Sequence, residues 1–339
     1  MDKINLGSML EKTRKKSISV LLIAIALLVL AVIPIIIDND FTLSVFIWIF
    51  IYIILGSAWN LIGGYTGQIA LAHGVFVAIG AYSAAVLPKY YGITPWLAFI
   101  IAPLIAACVG FAISYPTLKL KGHYFAMTTL AFGFVTWKVF LHWDYINGAA
   151  GLNIPFKPSF SAMIFSTPDI MYYLSFILAA GTIILFYIID QSKLGMYLKS
   201  INQDEESAEN RGINVHKYKV YAMTLSAAIT SIGGVIFAQY VLFVDPNLFM
   251  EGSLMSIRIA LIAIVGGLGT VLGPILGAFV MIPLEEYTRA LLGGLGRGFS
   301  LFIYGIVIIF IAMYWPKGLA DIIYRIEKKI KGVYHGKSK

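Results

Sequence analysis

Residues 63–82 read GGYTGQIALAHGVFVAIGAY. Where a plain membrane helix would carry Leu or Val, this stretch places Gly67, Gln68, His73 and Gly80. Polar and glycine-bearing backbone at membrane depth is costly, and it persists only where protein or a water-filled cavity surrounds it. The stretch therefore points to a transport pathway, and the rest of the chain must supply the helices that enclose it.

Composition agrees. The 339 residues are 59% apolar and 12% charged, against about 25% charged in a soluble domain, and the mean hydropathy is +0.85. Segments of about 20 mostly apolar residues span a bilayer. Ten qualify, at roughly 18–37, 41–62, 67–87, 94–115, 123–142, 169–189, 218–243, 252–272, 274–292 and 298–315. Gly266, Gly267, Gly269 and Gly273 with Pro274 allow broken helices or a re-entrant hairpin in place of regular spans between 252 and 292. The expected fold is all-α, a polytopic integral membrane protein of about ten transmembrane helices. A basic N-terminus (1–17) precedes one permease domain (18–315), and a basic tail (316–339) follows.

The basic residues orient these spans. With the N-terminus inside, the inner side holds most of the 25 Lys and Arg residues. The outer side holds Lys89, Lys157, Arg289 and Arg297. Cytoplasmic loops carry the Lys/Arg excess, so both termini are expected in the cytoplasm. The net charge of +8 then reports topology and attraction to anionic lipid, not nucleic-acid binding. The apolar run after Lys12, Arg14, Lys15 and Lys16 is too long for a signal-peptide core and lacks a small-residue cleavage site, so no cleaved leader is expected. The single cysteine, Cys108, has no partner for an intramolecular disulfide.

Two loops are long, the outer at about 143–168 and the inner at about 190–217. In the inner loop Asp204, Glu205 and Glu206 stand at the front of a short helix, with Arg211 at its end and Gly212 as its stop. That charge order complements a helix dipole, and a solvated connector is the plainer reading. Arg258 and the pair Glu285/Glu286 fall at similar depth in adjacent spans. An unpaired charge there is costly, so Arg258 is expected to pair with Glu285 or Glu286, with Glu286–Arg289 as the competing local pair. Gln68, His73 and Gly80 are the candidate pathway lining. For His73 a packed histidine satisfied by a neighbouring helix is an equal alternative, and for the glycines close helix packing is the alternative. The sequence holds no phosphate-binding loop, no set of metal ligands at the required spacing and no catalytic triad. No enzyme activity and no cofactor of its own are expected.

Several blocks resemble one family. GQIALAHGVFVAIGAY (67–82) resembles the G-Q-x-S-L-G-H-x-x-F-x-x-I-G-A-Y run of LivM-type permease subunits of branched-chain amino acid ABC importers. LKLKGHYFAMTTLAFG (118–133), GINVHKYK (212–219), VGGLGTVLGPILGA (265–278) and WPKGL (315–319) resemble further blocks of that family, in its order. ESAENRG (206–212) resembles the E-A-A-x-x-x-G element of such permeases. Ala70 and Ala72 depart from the family's Ser and Gly, and Ile146–Asn147 from its Thr-Gly.

The resemblance implies a coupling helix that docks on an ATPase, formed here by Asp204, Glu205, Glu206, Ala208, Arg211 and Gly212. It implies a second, homologous permease subunit, two cytoplasmic ATPase subunits that bind the ATP, an extracytoplasmic solute-binding protein and a prokaryotic cytoplasmic membrane. Leucine, isoleucine and valine are the implied solutes. Urea, short amides and other amino acids are the alternatives within this class. An ion-coupled secondary transporter is the alternative from another class, and the mid-membrane acids it usually needs are missing.

Overall fold

A bilayer offers no hydrogen bonds to backbone, so a segment that crosses it satisfies its own N–H and C=O groups by coiling. The computed structural model describes residues 30–36, 39–120, 122–250, 254–292, 305–306, 309–310, 313–315 and 318–321. The expected N-terminal tail, most of the C-terminal tail, most of the 18–37 segment and most of 298–315 lie outside the described residues.

Among the described residues the regular structure is helical apart from one two-stranded ribbon and an isolated bridge between Ser159 and Ile164, and the chain is a multi-pass membrane protein. Five helical stretches are long and apolar enough to cross a membrane: Asp40–Gly63, Pro95–Thr117, His123–Leu141, Pro168–Gln191 and Val215–Val241. In chain order the helices are α1 (Asp40–Gly63), α2 (His73–Tyr91), α3 (Ala98–Thr117), α4 (His123–Leu141), α5 (Pro168–Gln191), α6 (Lys193–Gln203), α7 (Glu205–Asn210), α8 (Val215–Val241), α9 (Pro246–Met250), α10 (Leu254–Gly266) and α11 (Leu272–Leu292). At about 1.5 Å per residue, the 19 residues of α2 and the 21 of α11 are each about 30 Å long.

Helices α1 and α8 form the centre. Their spanning windows are each 72% buried, against 33%, 17% and 28% for the α3, α4 and α5 stretches. Ile100, Leu104, Met127, Val135, Ile177 and Ile188 on those outer helices are exposed, as lipid-facing side chains are. Helix α2 packs on α8 almost backbone to backbone. A Cβ at Gly80 would lie 2.0 Å from the Ser231 carbonyl oxygen, and one at Gly234 would lie 2.1 Å from that of Val77. Small residues permit such an approach, and van der Waals contact then replaces the hydrophobic drive that lipid removes.

One sequence expectation is corrected. The 67–87 segment is not helical from its start. Residues 67–72 are non-helical and the helix begins at His73, because Gly67 takes φ +72° and turns the chain out of the helical path. Between 252 and 292 the chain takes the broken-helix course that its glycines allowed. Helix α10 has 13 residues, about 20 Å, and a turn at 267–271 joins it to α11. At the other end of the bundle, strands Leu152–Asn153 and Phe243–Val244 pair antiparallel and pin the long 143–168 loop to the end of α8.

Candidate functional site

The break between α1 and α2 carries polar groups that a helix would have satisfied internally. Backbone bonds and side chains from three elements, α1, α4 and α6, replace those bonds. The N–H groups of Gly64 and Tyr65 both donate to the Asn60 carbonyl at 2.8 and 2.9 Å. Asn202 Nδ2 donates to the Gly64 carbonyl at 2.9 Å. Trp59 Nε1 donates to the Ala70 carbonyl at 2.8 Å, and the Leu71 N–H donates to Thr129 Oγ1 at 3.0 Å. The non-helical segment is thus built into the protein, as such backbone at membrane depth requires.

The expected short helix exists as α7, six residues long. Asp204 is its N-cap. Its carboxylate accepts from the backbone N–H of Glu206 and of Ser207 at 3.0 and 3.3 Å, and the Ser207 hydroxyl donates to it at 2.7 Å. The Ser207 hydroxyl, with the helix-terminal N–H groups, holds the Asp204 carboxyl below the usual carboxylate range. At the far end Gly212 takes φ +82°, and the Ile213 N–H closes back on the Ala208 carbonyl at 3.1 Å, a glycine stop of the Schellman kind. Ala208 is buried against Ile201 and Val215, whereas Glu206 and Arg211 are exposed. A second helix in this loop, α6, escaped the sequence reading. Ser192 caps it by accepting from the Gly195 N–H at 3.3 Å.

These loop helices are clamped to the α1–α2 break. Glu205 Oε1 accepts from Gln68 Nε2 at 3.2 Å and pairs with the ammonium of Lys219. Lys219 lies on the first turns of α8, only 2% exposed. Tyr65 Oη donates to Asp190 Oδ1 at 2.7 Å, and Lys199 pairs with the same oxygen at 2.5 Å. From the break a further link runs to the α10–α11 turn. Asn60 Nδ2 donates to the Thr270 carbonyl and Asn60 Oδ1 accepts from the Gly269 N–H, both at 2.9 Å. Sequence reasoning missed Asn60, Asn202 and Lys219 as a group. The visible signal was the charge of Lys219 inside the apolar 218–243 segment.

The three candidate pathway residues separate. His73 is fully buried; its Nε2 lies 2.8 Å from Ser226 Oγ. Ser226 Oγ gives its proton to the Ala58 carbonyl at 2.5 Å, so the network assigns the histidine proton to Nε2. Gly80 is sealed in the α2–α8 contact. Gln68 is buried in the break, bonded to Glu205. None of the three lines the cavity of about 170 Å³ at the opposite end of the bundle, which is walled by Phe156, Met163, Phe165, Met171, Gln239 and Tyr240 among others.

Arg258 Nη2 lies 2.5 Å from Glu285 Oε2, and its guanidinium stacks over the Tyr52 ring with 4.4 Å to the centroid. Arg289 joins the cluster at 2.9 Å from Glu285 and 3.3 Å from Glu286. Among the described residues no group of three His, Cys, Asp or Glu side chains could hold a metal ion.

Comparison with known proteins adds a family. Residues 41–312 match the family described as the permease component of the branched-chain amino acid transport system. The chain is similar to the high-affinity branched-chain amino acid transport system permease protein LivM of Escherichia coli. The two are 30% identical over 274 residues, which cover 72% of this chain and 64% of that protein. It is 27% identical to the probable branched-chain amino acid transport permease protein LivH of Methanocaldococcus jannaschii, over 71% of this chain and 78% of that one. It is 25% identical to the nucleoside ABC transporter permease protein NupC of Lactococcus lactis, over 48% of this chain and 56% of that one. The matched part of this chain thus spans less than two thirds of the LivM protein. No solved structure matches.

Proposed function

We propose a function on one premise: this chain belongs to the family of permease components of branched-chain amino acid transport systems. The chain is a membrane permease subunit of an ATP-binding-cassette importer. It forms half of a translocation pathway for leucine, isoleucine and valine. It crosses a prokaryotic cytoplasmic membrane about ten times with both termini inside. It has no enzyme activity and binds no cofactor. A second, homologous permease completes the pathway, two ATPase subunits bind the ATP in the cytoplasm, and an extracytoplasmic binding protein delivers the solute.

The observation that carries this reading is the capped helix α7, which presents exposed Glu206 and Arg211 while its Glu205 is tied to the α1–α2 break. A short rigid helix with a glycine stop passes on a push without unfolding. The excess of basic residues in the loops on that side supports a cytoplasmic α7, where an ATPase would reach it. ATP binding would close the ATPases, and α7 would carry that motion into the bundle.

The test is co-purification with ATPase subunits together with uptake of radiolabelled leucine. Glu206→Lys and Gly212→Pro are expected to abolish uptake while the protein stays in the membrane. Uptake that survives without any ATPase would refute the reading in favour of an ion-coupled carrier. The similarity to NupC, whose name assigns it nucleosides, favours a second reading in which the same machinery carries a different small solute such as urea, an amide or another amino acid. Ligand binding to the partner binding protein decides between the two.

A further inference from the structure

If α7 receives a push, the push must enter the bundle through specific contacts. Three bonds join the 190–205 region to the α1–α2 break, Tyr65 to Asp190 at the end of α5, Asn202 to the Gly64 carbonyl and Gln68 to Glu205, and a fourth, the Glu205–Lys219 pair, anchors the loop to α8. The packing leaves no slack between them. A Cβ at Gly67 would lie 2.4 Å from Asn202 Oδ1. Lys219 is buried, and among the described residues its ammonium is paired with Glu205. Separation of α7 from α8 would strand that charge in a desolvated site, which is strongly destabilising. Beyond the break, Asn60 grips the α10–α11 turn by both ends of its amide. No comparable set of side-chain bonds among the described residues joins the loop to α3, α4 or α11.

We propose that the loop helices α6 and α7, the break at 64–68 and the start of α8 move as one rigid body, with Glu205 as the positioning residue that joins them. Asn60 transmits the displacement to the turn at 267–271, which makes the α10–α11 hairpin the element that the motion shifts. This rests on the import reading above and adds where the stroke goes. It also excludes the simplest alternative, in which the loop hinges away from the break during the cycle.

The experiment uses the assembled importer in membrane vesicles, in a Cys108→Ser background. A disulfide between Gly67→Cys and Asn202→Cys locks the loop to the break; the pair gives up the Asn202–Gly64 bond and strains position 67, so the reduced form of the same variant is the reference, with Glu205, Gln68 and Lys219 intact. Oxidised and reduced forms are expected to take up leucine at rates within about twofold. Uptake that stops on oxidation and returns on reduction overturns the proposal. Where that pair fails to assemble, Glu205→Gln with Lys219→Met removes the buried charge together with its partner. This double variant is expected at normal membrane levels, with ATP hydrolysis retained and uptake reduced at least about tenfold. Unchanged uptake overturns the proposal. An unmodified importer with no ATP-dependent uptake of any solute instead refutes the import reading itself.

Discussion

Gln68 and Glu205 stand 137 positions apart in sequence and share a hydrogen bond of 3.2 Å. One belongs to the non-helical break that interrupts the membrane helices, the other to the first turn of the charged loop helix. The two least membrane-like stretches of this chain are therefore one structural unit. Each explains the other's polarity: the break needs donors and acceptors that lipid cannot offer, and the loop supplies them.

Glu205→Gln is expected to cost more than Lys219→Met. The first leaves a buried ammonium without its counter-charge, a loss of about 3 kcal/mol at the lower end for a broken buried pair, since Glu205 is itself partly exposed. The second removes the charge and leaves a carboxylate that can turn to water. Thermal unfolding of the detergent-purified protein measures both. Equal losses would show that Lys219 is not held as the structure places it.

The cap of α7 makes the loop acid-sensitive. The Asp204 carboxyl sits below its ordinary value because the Ser207 hydroxyl and the helix N–H groups stabilise the charged form. A depressed folded-state pKa contributes stability above the unfolded value, here 3.8, and that contribution fades as pH falls through the folded value. The protection factor of the 205–210 amides, their exchange rate relative to the intrinsic rate at each pH, is expected to hold constant near neutral pH and to fall in acid. Asp204→Asn, which keeps a capping oxygen without the charge, should flatten that dependence while preserving most of the protection.

How far the sequence revealed this arrangement depended on the range of the interaction. Short-range chemistry was legible: Asp204, Arg211 and Gly212 bounded α7 because caps and glycine stops act within a turn. The charges Arg258 and Glu285 were legible as a pair because two charges at one depth in lipid have few other choices. Asn60 was not, since an asparagine in an apolar run carries no mark of a backbone partner 210 positions away. The segment 67–72 looked helical because Ile69, Ala70 and Leu71 are apolar, and tertiary partners such as Trp59, Thr129 and Glu205 stabilise its non-helical course. His73 was balanced between two roles until Ser226 arrived from α8 to bond it.

The α2–α8 contact should tolerate no side chain at its glycines. Gly80→Val or Gly234→Val would drive methyl groups into backbone carbonyl oxygens that a Cβ alone would approach to 2.0 or 2.1 Å. Either helix must shift, and an overpacked core loses about 1–3 kcal/mol or more. Ala at the same positions should already be harmful, whereas Gly181→Ala on α5 should be neutral, because a Cβ there meets nothing within 4 Å. The fraction of monodisperse protein after detergent extraction reports the difference, and equal recovery of all three would refute the close crossing.

The ion cluster on α10 and α11 predicts an asymmetry. Glu285 is shared: Arg258 lies 2.5 Å and Arg289 2.9 Å from its two oxygens. Arg258→Met therefore leaves Glu285 paired with Arg289 and gives up one contact. Glu285→Gln removes the counter-charge of Arg258 and half of the cluster's negative charge at once. Partial exposure of Arg258 and Arg289 screens the loss, so about 2 kcal/mol is expected for Glu285→Gln and about 1 kcal/mol for Arg258→Met. The double variant should lose less than the two single losses added together, because the partners are coupled. Detergent-melting midpoints of the three variants measure this. Strict additivity would mean that the two side chains do not pair in the membrane-extracted protein.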